Sequence, residues 1–65
     1  MLSKEEYSNK AGDEIASNSI TDAQFDTLME LFERNILCYE YNRALVIQGL
    51  STEEIANQFW LILAY

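Results

Sequence analysis

The chain has 65 residues, a net charge of −7, no histidine, no proline and a single cysteine, Cys38. That length bounds it to one domain and excludes most enzymes that need two lobes around a cleft. One cysteine makes no internal disulfide, and without histidine the four nitrogen or sulfur ligands of a structural zinc site cannot be assembled. A core this small is worth only a few kcal/mol, so association with another chain is the expected supplement.

Hydrophobic residues make up 49% and charged residues 23%, an ordinary globular mixture, so the chain is expected to fold despite its acidity. Eleven Asp and Glu stand against Lys4, Lys10, Arg34 and Arg43. Such a surface repels phosphate backbones, so direct nucleic-acid binding is not expected and a basic protein is the natural partner. The first ten residues lack the basic stretch and apolar run of a secretory signal. The apolar run from Phe59 to Tyr65 is seven residues, against the roughly 20 needed to span a bilayer as a helix. A cytoplasmic location without a membrane span is the expectation, and size and charge fit a product of a phage or other mobile element.

In chain order, the first element is announced by Leu2-Ser3-Lys4-Glu5-Glu6-Tyr7. Here a serine is followed three residues later by glutamate, a capping box bracketed by the hydrophobic staple Leu2/Tyr7. A helix over about 4–16 is expected, weakened by Gly12 in its interior, with Ser17, Asn18 and Ser19 as the connecting loop. Ile20-Thr21-Asp22-Ala23-Gln24-Phe25 repeats the box and opens a long central helix, read over about 22–48, with a division near Asn35 left open. Gly49 suits a left-handed stop, with Leu50 closing on Leu45. Leu50-Ser51-Thr52-Glu53-Glu54-Ile55 is the third box and starts a helix over about 52–64. No stretch sustains strand-like alternation. The fold class is therefore all-α: a short N-terminal helix and a helical hairpin, expected to dimerise into a bundle.

At 100° per residue, Phe25, Leu28, Met29, Leu31 and Phe32 fall on one side of the central helix, while Asp22, Asp26, Glu30 and Glu33 share roughly an 80° arc opposite. From Ile36 onward the apolar residues encircle the axis, and so do those from Phe59 to Tyr65. A helix apolar all round needs surroundings. Ile36, Tyr39, Val46, Ile47, Phe59, Trp60, Ile62, Leu63 and Tyr65 are accordingly expected to form a self-association surface, most simply across a two-fold axis. Arg43 shares a face with Phe25, Phe32, Ile36 and Tyr39; it either pairs with a carboxylate or a tyrosine, or lays its stem on the surface with its head in water.

Chemistry has little to work with. No histidine offers a base near neutral pH, and Cys38, within an apolar helical run, reads as a packed small hydrophobe. The serines and threonines are assigned to caps. No catalytic residue, cofactor or metal site is expected, and the reading is non-enzymatic: a regulator or inhibitor acting by protein–protein contact.

Asp22, Asp26, Glu30 and Glu33 form the candidate partner-binding stripe. Carboxylates about 6 Å apart along a helix are spaced much like successive phosphates on one strand, so a decoy for a DNA-binding protein is the alternative reading. Glu30-x-x-Glu33 followed by Glu54-x-x-Asn57 resembles the Mg²⁺-binding carboxylate pairs of all-α nucleotide pyrophosphohydrolases, although Asn57 stands where that family has an acid. That resemblance implies a third reading, a metal-dependent nucleotide hydrolase. The stretch from Leu45 to Phe59 is similar to the entry of a helix-turn-helix, with Gly49, Leu50, Ser51 and Glu54-Ile55-Ala56 as the matching positions. The next six residues, Trp60 to Tyr65, are apolar where a recognition helix would be polar and basic, so the resemblance implies only a local helix–glycine–cap–helix geometry.

Overall fold

A computed structural model describes the backbone of residues 2–63 and the side chains of residues 2–59. The described residues form four helices, α1 (Lys4–Ala16), α2 (Asp22–Glu33), α3 (Tyr39–Ile47) and α4 (Thr52–Leu63), and contain no strand. None of these helices is long and apolar enough to cross a membrane.

The three capping signals start three of the helices. Ser3 Oγ accepts from the Glu6 amide at 3.2 Å. At α2 the box is reciprocal: the Gln24 amide donates to Thr21 Oγ1 at 3.2 Å, and the Thr21 amide donates to Gln24 Oε1 at 2.7 Å. At α4 the Glu54 amide donates to Ser51 Oγ at 3.3 Å, and the Ser51 amide to Glu54 Oε1 at 3.2 Å. Each bond satisfies a first-turn or cap amide that the helix itself leaves without a partner.

Helix ends follow an equally regular rule. Asn18, Asn35 and Gly49 occupy the left-handed region at φ 63°, 63° and 94°. After each, the chain closes back on the last turn: Ser19 N donates to Glu14 O at 2.8 Å, Ile36 N to Leu31 O at 3.0 Å, and Leu50 N to Leu45 O at 3.2 Å. Asn18, Asn35 and Gly49 add the inner bonds to Ile15, Phe32 and Val46 at 3.0, 2.9 and 3.0 Å. These are three Schellman motifs. Asparagine serves in two of them because, among residues with a side chain, its short polar group is the one that tolerates the left-handed conformation best.

The motif at Asn35 corrects the expectation of one helix over 22–48. At about 1.5 Å per residue such a rod would run roughly 40 Å, beyond the molecule's longest extent of 37 Å. Its second half would stand apart from the core that its first half helps to form. Stopping α2 at Glu33 and turning through Asn35 lets α3 fold back, which brings Ile36, Tyr39, Leu45 and Val46 to the same interior as Leu28 and Leu31. α3 begins at Cys38 without a side-chain cap. The connection is held from inside instead, where Asn42, fully buried, donates from Nδ2 to the Ile36 carbonyl at 2.7 Å.

α2 is the hub, packing against α1, α3 and α4. The core gathers Tyr7 and Ala11 from α1, Ile20, Leu28 and Leu31 around α2, Ile36, Tyr39, Leu45 and Val46 around α3, and Ile55 from α4. Tyr7 packs on Phe32 with ring centroids 4.8 Å apart and meets Tyr39 edge-on at 5.2 Å, geometries that add to the burial of the rings.

Candidate functional site

The inward side of α2 carries Leu28 and Leu31, fully buried, so its helical period turns Asp22, Asp26, Glu30 and Glu33 outward, and all four are exposed. Because α2 ends at Glu33, the division of the central helix leaves this stripe on one continuous element. Its carboxylates differ in their surroundings. Glu30 lies 3.6 Å from Arg34 and accepts from Thr52 Oγ1 at 3.2 Å, which ties it to α4. Asp22, Asp26 and Glu33 have no ion pair or side-chain hydrogen bond among the described residues.

The basic side chains explain why the face stays acidic. Arg34 is bracketed by Glu30 and Glu53, the latter at 2.8 Å. Arg43 is bracketed by Glu40 at 3.1 Å and Glu14 at 3.9 Å. Both guanidinium groups are held above their ordinary pKa, first by the hydrogen bond to Glu53 and to Glu40 respectively. Arg43 thus pairs with carboxylates, the first of the two readings of its sequence position. Lys10 sits over the Tyr39 ring at 5.7 Å from its centroid. Glu53, which the sequence assigns to the first turn of α4, also extends the acidic face across Arg34 toward α2, a juxtaposition only the packing of α4 on α2 creates.

The expected self-association surface is redistributed. Ile36, Tyr39 and Val46 retain only 7%, 5% and 3% of their exposure and belong to the chain's own core, so they are removed from that surface. The turn at Asn35 is the physical reason, because it supplies within the chain the enclosure that a partner was expected to bring. Ile47 remains 45% exposed and Phe59 is half-buried against the core. The side chains of Trp60, Ile62, Leu63 and Tyr65 lie outside the described residues.

Cys38 is exposed rather than packed, because it stands at the N-terminal boundary of α3 and outside any helix. Burial pushes the Tyr39 hydroxyl up to about 12 and raises that of Tyr7 as well, so both stay protonated near neutral pH. Of the residues in the pyrophosphohydrolase-like pattern, Glu30 is held by Thr52 and Arg34, and Glu54 is held by the Ser51 amide. Among the described residues no group of three or more potential ligands could hold a metal ion. The helix-turn-helix-like stretch does show the local geometry its residues imply, with α3 closing at Gly49 and α4 opening at the Ser51 cap.

One feature had no signal in the sequence. Between the first turns of α2 and the turn joining α3 to α4 lies an open groove of about 280 Å³, lined by Ala23, Gln24, Thr27, Val46, Gly49, Leu50 and Ser51. Across it Gln24, after closing its cap, also approaches the Val46 carbonyl at 3.5 Å. Comparison with protein-family models, with curated proteins and with solved structures finds no match for this chain.

Proposed function

We propose that this protein is a non-enzymatic regulator or inhibitor that binds a basic protein through the exposed carboxylates of α2. The observation that carries the reading is that Asp22, Asp26 and Glu33 face solvent on one helix while both arginines are engaged by other carboxylates. A folded protein can carry an acidic face for solubility alone; here the charge is concentrated on a rigid element, where it can complement a basic surface and steer its approach. The rise between Asp22, Asp26 and Glu30, about 6 Å per step, also suits a decoy that occupies the phosphate-binding groove of a DNA-binding protein.

Capture from native lysate tests this reading, with wild-type protein compared against a variant carrying Asp26→Lys, Glu30→Lys and Glu33→Lys. A basic protein retained at low salt by the wild type, released by salt and not retained by the variant is the expected result. Equal retention by both proteins overturns the proposal. Assembly is the second part of the reading: copies associate through Ile47 and Phe59 together with the apolar sequence from Trp60 to Tyr65, whose side chains lie outside the described residues. Light scattering during size-exclusion chromatography at micromolar concentration should give a dimer mass, and a mass near 7.5 kDa would exclude it.

A further inference from the structure

The N-terminal helix is lightly seated. Of its 13 residues only Tyr7 and Ala11 are buried. It is held by the Tyr7 ring on Phe32 and Tyr39, by Lys10 over Tyr39 and by the Glu14–Arg43 pair at 3.9 Å. The three α3 residues that meet it, Tyr39, Asn42 and Arg43, each keep a buried polar atom without a hydrogen-bond partner among the described residues, which lowers the reward for docking. Without α1, the other three helices still keep Leu28, Leu31, Leu45, Val46 and Ile55 among themselves.

The hinge of α1 differs from the otherwise similar turn at Asn35. Both turns place an asparagine at φ 63°. The turn at Asn35 is pinned from inside by Asn42 Nδ2 on the Ile36 carbonyl at 2.7 Å. Ser17, Asn18 and Ser19 are instead exposed, and their side-chain bonds run only from Ser17 to the Glu14 carbonyl and to Ser19 Oγ, both at 3.0 Å. A short surface hinge that holds a left-handed residue with a side chain releases strain when it straightens, the setting that invites exchange of a terminal element. The Thr21–Gln24 box lies wholly beyond this hinge, so α2 keeps its start when the hinge opens. We propose that two copies exchange α1: the Ser17–Ser19 hinge straightens, and the α1 of each copy takes the seat on Phe32 and Tyr39 of the other. The seat itself fixes the occupant, because the rings that receive Tyr7 and the Arg43 charge that receives Glu14 are those α1 already meets in its own chain. The exchange is separate from association through Ile47 and Phe59, and it places two acidic α2 faces on one particle.

The test uses the full chain carrying Glu14→Cys and Arg43→Cys with Cys38→Ser, folded at micromolar to millimolar concentration and treated with a short bismaleimide. Exchange should join chains covalently in pairs through the two introduced thiols, in a fraction that rises with concentration. Adding Asn18→Gly should lower the dimerisation constant roughly fivefold, the relief of one left-handed asparagine in the closed hinge. Linkage within single chains at every concentration overturns the exchange. If light scattering shows a dimer in that same sample, association through Ile47 and Phe59 stands, whereas a monomer mass removes both. A second measurement needs no substitution and decides even if the cysteine variant does not fold. Wild-type protein refolded from an equal mixture of isotope-labelled and unlabelled chains should show isotope-filtered contacts between Tyr7 and the Phe32 and Tyr39 rings of the other chain; contacts confined to one chain overturn the proposal.

Discussion

At the scale of single residues, stability is decided by how a side chain meets its backbone. Gly12 lies exposed within α1, and a methyl group added there would meet no neighbour within 4 Å. Gly12→Ala should therefore stabilise the fold by about 1 kcal/mol by restricting the unfolded chain. Gly49→Ala should cost about 1 kcal/mol or more although the space is equally open, because its φ is 94°. Thermal melts of the two variants should move in opposite directions. Asn42→Ala deletes the donor to the Ile36 carbonyl within the core, and a loss of about 2–3 kcal/mol in chemical denaturation is expected. Tyr39, raised from 10.0 to about 12 by burial, binds its proton more tightly folded than unfolded. Its contribution is therefore complete below pH 10 and is lost as pH rises through about 12. Alkaline unfolding of wild type should begin in that window with the appearance of tyrosinate absorbance, and Tyr39→Phe should delay it.

At the scale of elements, the helices do not share one stability. α2 packs against the other three, whereas α1 rests on Tyr7, Ala11 and their aromatic neighbours and carries Gly12 in its middle. Beside α1, the helix α3 presents three buried polar atoms, Tyr39 Oη, Asn42 Oδ1 and Arg43 Nε, that have no hydrogen-bond partner among the described residues. Groups of this kind weaken the seam they occupy. Native-state hydrogen exchange should consequently show α1 amides opening at lower free energy than those of α2, and equal protection would contradict this account. The starts of α1, α2 and α4 were legible because a capping box is a local event within four residues. The division at Asn35 was not as clear, since the left-handed asparagine and the Leu31/Ile36 closure resemble an ordinary helical stretch until the core that rewards the turn is in place. For the same reason Asn42 gave no hint of its role, its partner being a carbonyl exposed only by that turn.

For the whole molecule, charge sets the balance. Eleven acids against four bases leave a repulsion that the four ion pairs among the described residues, all at the surface, do little to offset. At about 0.01 M salt the screening length is roughly 30 Å, which is comparable with the molecule's extents of 37, 24 and 15 Å. Raising the salt to about 0.15 M shortens it to roughly 8 Å, so the melting temperature should rise even as binding to a basic client weakens. Opposite responses of stability and binding in one salt series would separate self-repulsion from recognition; a melting temperature that falls with salt would show that the ion pairs dominate.

Local signals in the sequence sufficed for the all-helical class, three capped starts, the glycine stop and the acidic face of α2. All of these come from helical period and from hydrogen bonds that span a turn or less. Where the apolar surplus goes is settled by packing. It ends α2 at Glu33 and turns the chain through Asn35, encloses Ile36, Tyr39 and Val46 within the chain and leaves Ile47 outside, and it sets α2 against the α3–α4 turn to open the groove. The physical reason is that a helix apolar on every side states only that it must be covered, and the covering surface is chosen by the packing of elements distant in sequence.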